Sequence, residues 1–143
     1  IGEANVTVFD ITTWEIVKHI WPEGIDIKAG GGLFISQVPP RVSDEVSYIW
    51  SEVFFGPHNG TLFVINAASL EVVEVITDPA SGYGKRALHA EYTVDGKYVF
   101  VSVWDANKLL IFDAATFKLI KTIDGLITPT GIFGAWRVHL PGL

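Results

Sequence analysis

The sequence predicts an all-β fold: β-propeller blades of four antiparallel strands, about two and a half blades in all. Three observations carry this. One phrase is written three times, as NVTVFDITTWEIVKHI from Asn5, GTLFVINAASLEVVEVI from Gly60 and KLLIFDAATFKLIKTI from Lys108. Each copy is an apolar strand, a polar corner (Asp10, Asn66, Asp113), a Ser or Thr three positions on, a large apolar residue and a second apolar strand. The corners recur about fifty residues apart, the period of radial arrays made from strands. Finally, KYVFVSVW from Lys97 is apolar on both faces, Tyr98, Phe100, Ser102 and Trp104 on one and Val99, Val101 and Val103 on the other. A sheet with one wet side would alternate with charges. A blade between two neighbours buries both sides.

The elements follow in order. Val6 to Ile20 reads as the outer two strands of a blade, within an outer half-blade over 1–28. Residues 29–78 read as one blade: GGLFISQV, SYIWSEVFF, TLFVIN and LEVVEVI, with the polar loop PPRVSDE after the first strand. Residues 84–124 read as the next. RALHAEYTV is its inner strand, Asp95-Gly96 is a tight turn, KYVFVSVW follows, and Asp105-Ala106-Asn107 turns into LLIFD. FKLIKTI ends it, with Lys118 and Lys121 marking an outer edge. Residues 126–143, from LITPTGIFGAWRVHL, read as the inner strand of a further blade. Natural propellers need at least about four blades to close a ring, so the remaining blades or subunits are the first partners expected.

The totals agree. The chain of 143 residues is 49% hydrophobic and only 18% charged, rich for a free-standing domain of its size. It holds no methionine and opens at Ile1 inside a strand phrase. The expectation is a piece of a larger body. No apolar run approaches the roughly 20 residues of a membrane helix. Net charge is −6 with scattered basic residues, which argues against nucleic acid. Cysteine is absent, so disulfides, thiolate metal sites and a CxxCH attachment for c-type haem have no place within this chain.

Chemistry is expected on the inner strands, which line a propeller's channel: Gly30 to Gln37, Arg86 to Tyr92 and Thr128 to Ala135. They are rich in Gly and small residues, which let backbone approach a ligand or simply relieve crowding at the axis. His89 is the histidine of these strands. Facing the channel, it would move a proton or bind a ligand; the alternative is a hydrogen-bonded structural histidine. No pair of His or carboxylates has metal-ligand spacing, and no metal site is expected. GxSxG, P-loop and GxGxxG motifs are absent.

KRALHAEYTVDGKYVFVSVW, then a strand-DAAT-strand hairpin, then LITPTGIF, resembles the C-terminal third of the haem d1 propeller domain. That domain occurs in cytochrome cd1 nitrite reductase and in related d1-haem biosynthesis proteins. The family pattern is KR-x-x-(Gln or His)-x-E-(Phe or Tyr), a VSVW-like strand, and LITPTGKFNV near the end. AGGGLFI resembles the family's GGSLFIKTHP. The resemblance runs from Ala29 to Phe133.

The resemblance implies an eight-bladed propeller in the bacterial periplasm with haem d1 in its channel. In the reductase, nitrite takes up one electron and two protons and leaves as nitric oxide and water; a cytochrome or cupredoxin would supply the electron. By position, His89 matches the Gln or His facing the haem pocket and is the expected catalytic proton donor. Phe34, Trp104, Thr130 and Gly131 are the expected cofactor-binding residues. One departure bears on activity: the family's Thr-His-Pro is Gln37-Val38-Pro39 here, so Val38 replaces a distal histidine. Losing a general acid costs on the order of 100-fold. The implied functions, in order, are an NO-forming nitrite reductase, a d1-haem maturation protein that binds the cofactor without reducing nitrite, and a cofactor-free scaffold for protein binding.

Overall fold

The computed structural model describes residues 5–25, 33–35, 47–54, 56–77, 86–93 and 95–129, with the backbone alone for Leu33–Ile35 and Leu88. Regular structure among these residues is strand, apart from one 3-10 turn at Trp104–Ala106. β1 (Val6–Phe9) and β2 (Ile16–Ile20) form a hairpin. β3 (Leu33–Ile35), β4 (Tyr48–Val53), β5 (Leu62–Asn66) and β6 (Glu71–Ile76) form a four-stranded sheet in chain order. β7 (Ala87–Tyr92), β8 (Tyr98–Val103), β9 (Lys108–Asp113) and β10 (Leu119–Ile123) form another. Every pairing is antiparallel and joins sequence neighbours.

The middle sheet shows why both faces of these strands are apolar. Leu62, Phe63, Val64 and Ile65 of β5 are all fully buried. Successive side chains point to opposite faces. Leu62 and Val64 therefore join Trp50 in a core shared with Val99, Val101, Val103, Leu110 and Phe112 of the third sheet. Phe63 and Ile65 join Val53 in a core shared with Val6 and Ile20 of the hairpin. Each fully buried aliphatic side chain contributes roughly 1.5–3 kcal/mol. The outer strands β6 and β10 are largely exposed, and Lys118 and Lys121 at β10 discourage further strand pairing.

The thrice-written corner has one geometry. The corner side chain accepts the two amides that follow it: Asp10 Oδ1 from Thr12 and Thr13, Asn66 Oδ1 from Ala68 and Ser69, Asp113 Oδ1 from Ala115 and Thr116. The corner carbonyl then accepts the amide of the large apolar residue, at 2.8 Å for Trp14 and 2.9 Å for Leu70 and Phe117. Those three residues are left-handed, with φ of 62°, 58° and 60°. A left-handed non-glycine residue costs roughly 1–2 kcal/mol. The hydrogen bonds offset that, and the twist turns the apolar side chain back onto the sheet before it. Leu70 packs into the core shared with the hairpin, and Phe117 into the core shared with the middle sheet.

Two local expectations change. Phe117 belongs to the corner, and β10 begins at Leu119. Trp104 leaves the strand face it was expected to share with Phe100, because β8 ends at Val103 and the chain enters the 3-10 turn. Left-handed Asn107 (φ 54°) closes that turn through its amide to the Trp104 carbonyl. Of the strand expected over 126–143, the described residues reach Pro129. Asn107 anchors its start, its carbonyl accepting the Leu126 amide at 3.1 Å and its Oδ1 the Thr128 amide at 2.9 Å.

Candidate functional site

The inner strand β7 is irregular at His89. Leu88 pairs with Ser102 and Glu91 with Phe100, so His89 and Ala90 together oppose Val101. This is a β-bulge, a device that re-aims side chains and occurs next to active sites. The usual left-handed residue of such a bulge is glycine. Here it is His89, half-buried, with φ of 48°. Histidine tolerates this region better than most residues, yet the conformation stores strain of order 1–3 kcal/mol. The bulge also resets the alternation beyond it. Ala90 and Tyr92 join the core shared with the middle sheet, and buried Glu91 between them is directed to the other face.

A buried carboxyl group holds this bulge. Glu52, on β4 of the neighbouring sheet, is fully buried, and its Oε1 accepts the Ala90 amide at 2.6 Å. Glu52 is also the register partner of Phe34 on β3. The positions of Phe34 and His89 are thus linked across the two inner strands through a residue that the sequence did not single out. A second bond ties the same strands: the Tyr92 hydroxyl donates to the Tyr48 carbonyl at 2.8 Å.

Trp104 sits in a cluster at the start of β7. Its ring lies parallel to that of Phe54, with centroids 6.3 Å apart and planes 12° from parallel. The Arg86 guanidinium lies 4.7 Å from the Trp104 centroid and 5.5 Å from that of Phe54, within cation–π range. Arg86 also grips Asp105 with two bonds, Nε to Oδ2 and a terminal nitrogen to Oδ1, each 2.8 Å. Hydrogen bonding to Asp105 holds the guanidinium pKa above its ordinary value. The signal for this cluster was present in KR and VSVWD, but the pairing of Arg86 with Asp105 depends on β7 lying beside the end of β8.

Of the expected site residues, His89 and Trp104 are described with side chains and Phe34 by its backbone position. Thr130, Gly131 and Val38 lie outside the described residues. Among the described residues no three His, Asp or Glu side chains converge as a metal site. A cleft of about 310 Å³, lined by Lys18, His19, Trp21, Glu23 and Glu71, lies on the outer hairpins and has no part in this inner-strand arrangement.

The profile of the Cytochrome D1 heme domain matches residues 1–138. The chain belongs to the cytochrome d1 haem domain family. Within the d1 haem domain family, Protein NirF of Stutzerimonas stutzeri is 31% identical over 143 residues, covering 100% of this chain and 32% of that protein. Dihydro-heme d1 dehydrogenase of Pseudomonas aeruginosa is 27% identical over 124 residues, 86% of this chain and 22% of that protein. Nitrite reductase of Stutzerimonas stutzeri is 22% identical over 151 residues, 94% of this chain and 25% of that protein. The solved structure of the dihydro-heme d1 dehydrogenase NirN in complex with DHE superposes with a TM-score of 0.71 at 27% identity, covering 92% of this chain and 25% of that one. The chain therefore spans between about a fifth and a third of the curated relatives it matches, and its sheets are blades of a larger d1-type propeller. A half-buried imidazole held on a strand bulge is suited to a polar contact with a bound macrocycle.

Proposed function

We propose that this chain is part of a haem d1-binding propeller that serves d1-haem maturation, holding haem d1 or its dihydro form against the inner strands. The observation that carries the reading is the 27% identity and TM-score of 0.71 to a dihydro-heme d1 dehydrogenase solved with DHE. The replacement of the distal histidine by Val38 supports maturation over nitrite chemistry, since a reductase must deliver protons to bound nitrite. In this reading His89 faces the macrocycle as the proton-handling group. Phe34 and Trp104 form or back its wall, and the backbone at Thr130 and Gly131 approaches it. The chain would comprise the outer half of a blade over 1–28, whole blades over 29–78 and 84–124, and the inner strand of a further blade over 126–143, within a periplasmic protein.

Nitrite reduction to nitric oxide is the second reading. His89 favours it, as a histidine at the pocket-facing position of the reductase pattern that could compensate for Val38. An electron donor such as a cytochrome or cupredoxin would then be needed.

The visible spectrum of the whole protein, titrated with haem d1 under reducing and oxidising conditions, tests both. Stoichiometric binding without nitric oxide release from added nitrite is the expected result. Catalytic nitric oxide production would establish the second reading in place of the first, and failure to bind would leave a cofactor-free scaffold.

A further inference from the structure

We propose that Glu52 is a positioning residue for His89, fixing the bulge that presents the imidazole. The inference rests on the reading of His89 as the group facing the macrocycle. It starts from a choice that β7 must make. With two residues opposing Val101, the strand places Ala90 and Tyr92 in the core and Glu91 on the other face. A regular strand from Leu88 onward would exchange these faces, because a slip of one residue inverts the alternation. Nothing in RALHAEYTV marks the bulge: it has no glycine, and its left-handed residue is a histidine.

The selecting contact comes from outside the strand. Glu52 reaches from β4 to the Ala90 amide at 2.6 Å, with Glu52 0% and Ala90 1% exposed. A carboxyl group is costly to bury, and an apolar residue would serve the surrounding core of Trp50, Leu62 and Val64 better. Its placement makes sense as an acceptor fixed in a dry setting at the amide that follows His89. The Tyr92 bond to Tyr48 then locks the strand beyond the bulge. Glu52 acts through the backbone, two atoms from the residue that meets the ligand.

The test uses the whole protein with the variants Glu52→Gln and Glu52→Leu beside His89→Ala. Amide hydrogen exchange in the cofactor-free protein judges Glu52 by itself. Glu52→Leu should lower protection of the Ala90 amide by roughly 10- to 100-fold, more than at Val99 or Val101 of β8. Glu52→Gln, which keeps an acceptor oxygen, should restore most of it. A uniform loss across β7 and β8, or no loss at Ala90, would overturn the proposal. With haem d1 bound, the absorption maximum should shift in Glu52→Leu as in His89→Ala and stay near wild type in Glu52→Gln. If His89→Ala shifts the spectrum and Glu52→Leu does not, Glu52 has no positioning role. If His89→Ala leaves the spectrum unchanged, the reading of His89 fails, while the amide measurement still decides whether Glu52 sets the bulge.

Discussion

The Tyr92 hydroxyl, on the inner strand of one sheet, donates to the backbone carbonyl of Tyr48 in the sheet before it, at 2.8 Å. Burial raises the Tyr92 phenol pKa above its ordinary 10.0, with the Trp50 side chain opposing the shift in part. A raised folded value means that the stabilisation is complete below pH 10.0 and declines as pH rises from there through the folded value. Tyr92→Phe should cost about 0.5–1.5 kcal/mol at neutral pH and remove this part of the alkaline decline. Denaturant midpoints of wild type and variant between neutral pH and pH 11 or so check it; parallel curves would sink the assignment.

Phe117 bridges sheets in another way. Its ring meets Tyr48 edge-on with centroids 4.9 Å apart and lies 6.1 Å from Trp50. Phe117→Ala should cost about 2–4 kcal/mol, for a partly buried aromatic in a left-handed corner. Trp14 holds the same place in the first hairpin and is 76% exposed among the described residues. In the whole protein a preceding blade is expected to cover it, so Trp14→Ala should there cost about as much as Phe117→Ala. Chemical denaturation of the two variants decides this. A Trp14→Ala cost within about 0.5 kcal/mol would mean that nothing covers it.

The corner carboxylates give an acid signature. Asp113 has its pKa lowered from 3.8, chiefly by the Thr116 amide, then by the Thr116 hydroxyl and the Ala115 amide. A lowered folded value means that stability is complete above pH 3.8 and is lost as pH falls through the folded value. Asp113→Asn should be nearly neutral at pH 7, since Asn66 builds the same corner without a charge. Below pH 3.8 the variant should overtake wild type. Melting temperatures across this range test it, and a constant difference would contradict the assigned bonds.

The fold was legible because its information is local. Corners such as Asp113-Ala114-Ala115-Thr116 and strands such as KYVFVSVW carry their geometry in a few adjacent residues. His89 was reachable by position on an inner strand. Its conformation was not, since the bulge follows from register against β8 and from a carboxyl group on another sheet. Glu52 itself was hidden within SYIWSEVFF, where a lone acid resembles an ordinary solvent-facing residue of a strand. Trp104 was expected on the strand face of Phe100 and instead opens the turn after β8, because that turn is closed by left-handed Asn107, which the local pattern did not announce.

The left-handed apolar residue at each corner gives the array a direction. Among the described residues, Leu70 packs toward the hairpin made earlier in the chain rather than the sheet that follows, and Phe117 packs onto the middle sheet before it. A ribosome releases the chain in that same order. The second and third hairpins thus carry their anchoring side chains toward a surface that precedes them in the chain, an arrangement compatible with blade-by-blade addition during synthesis.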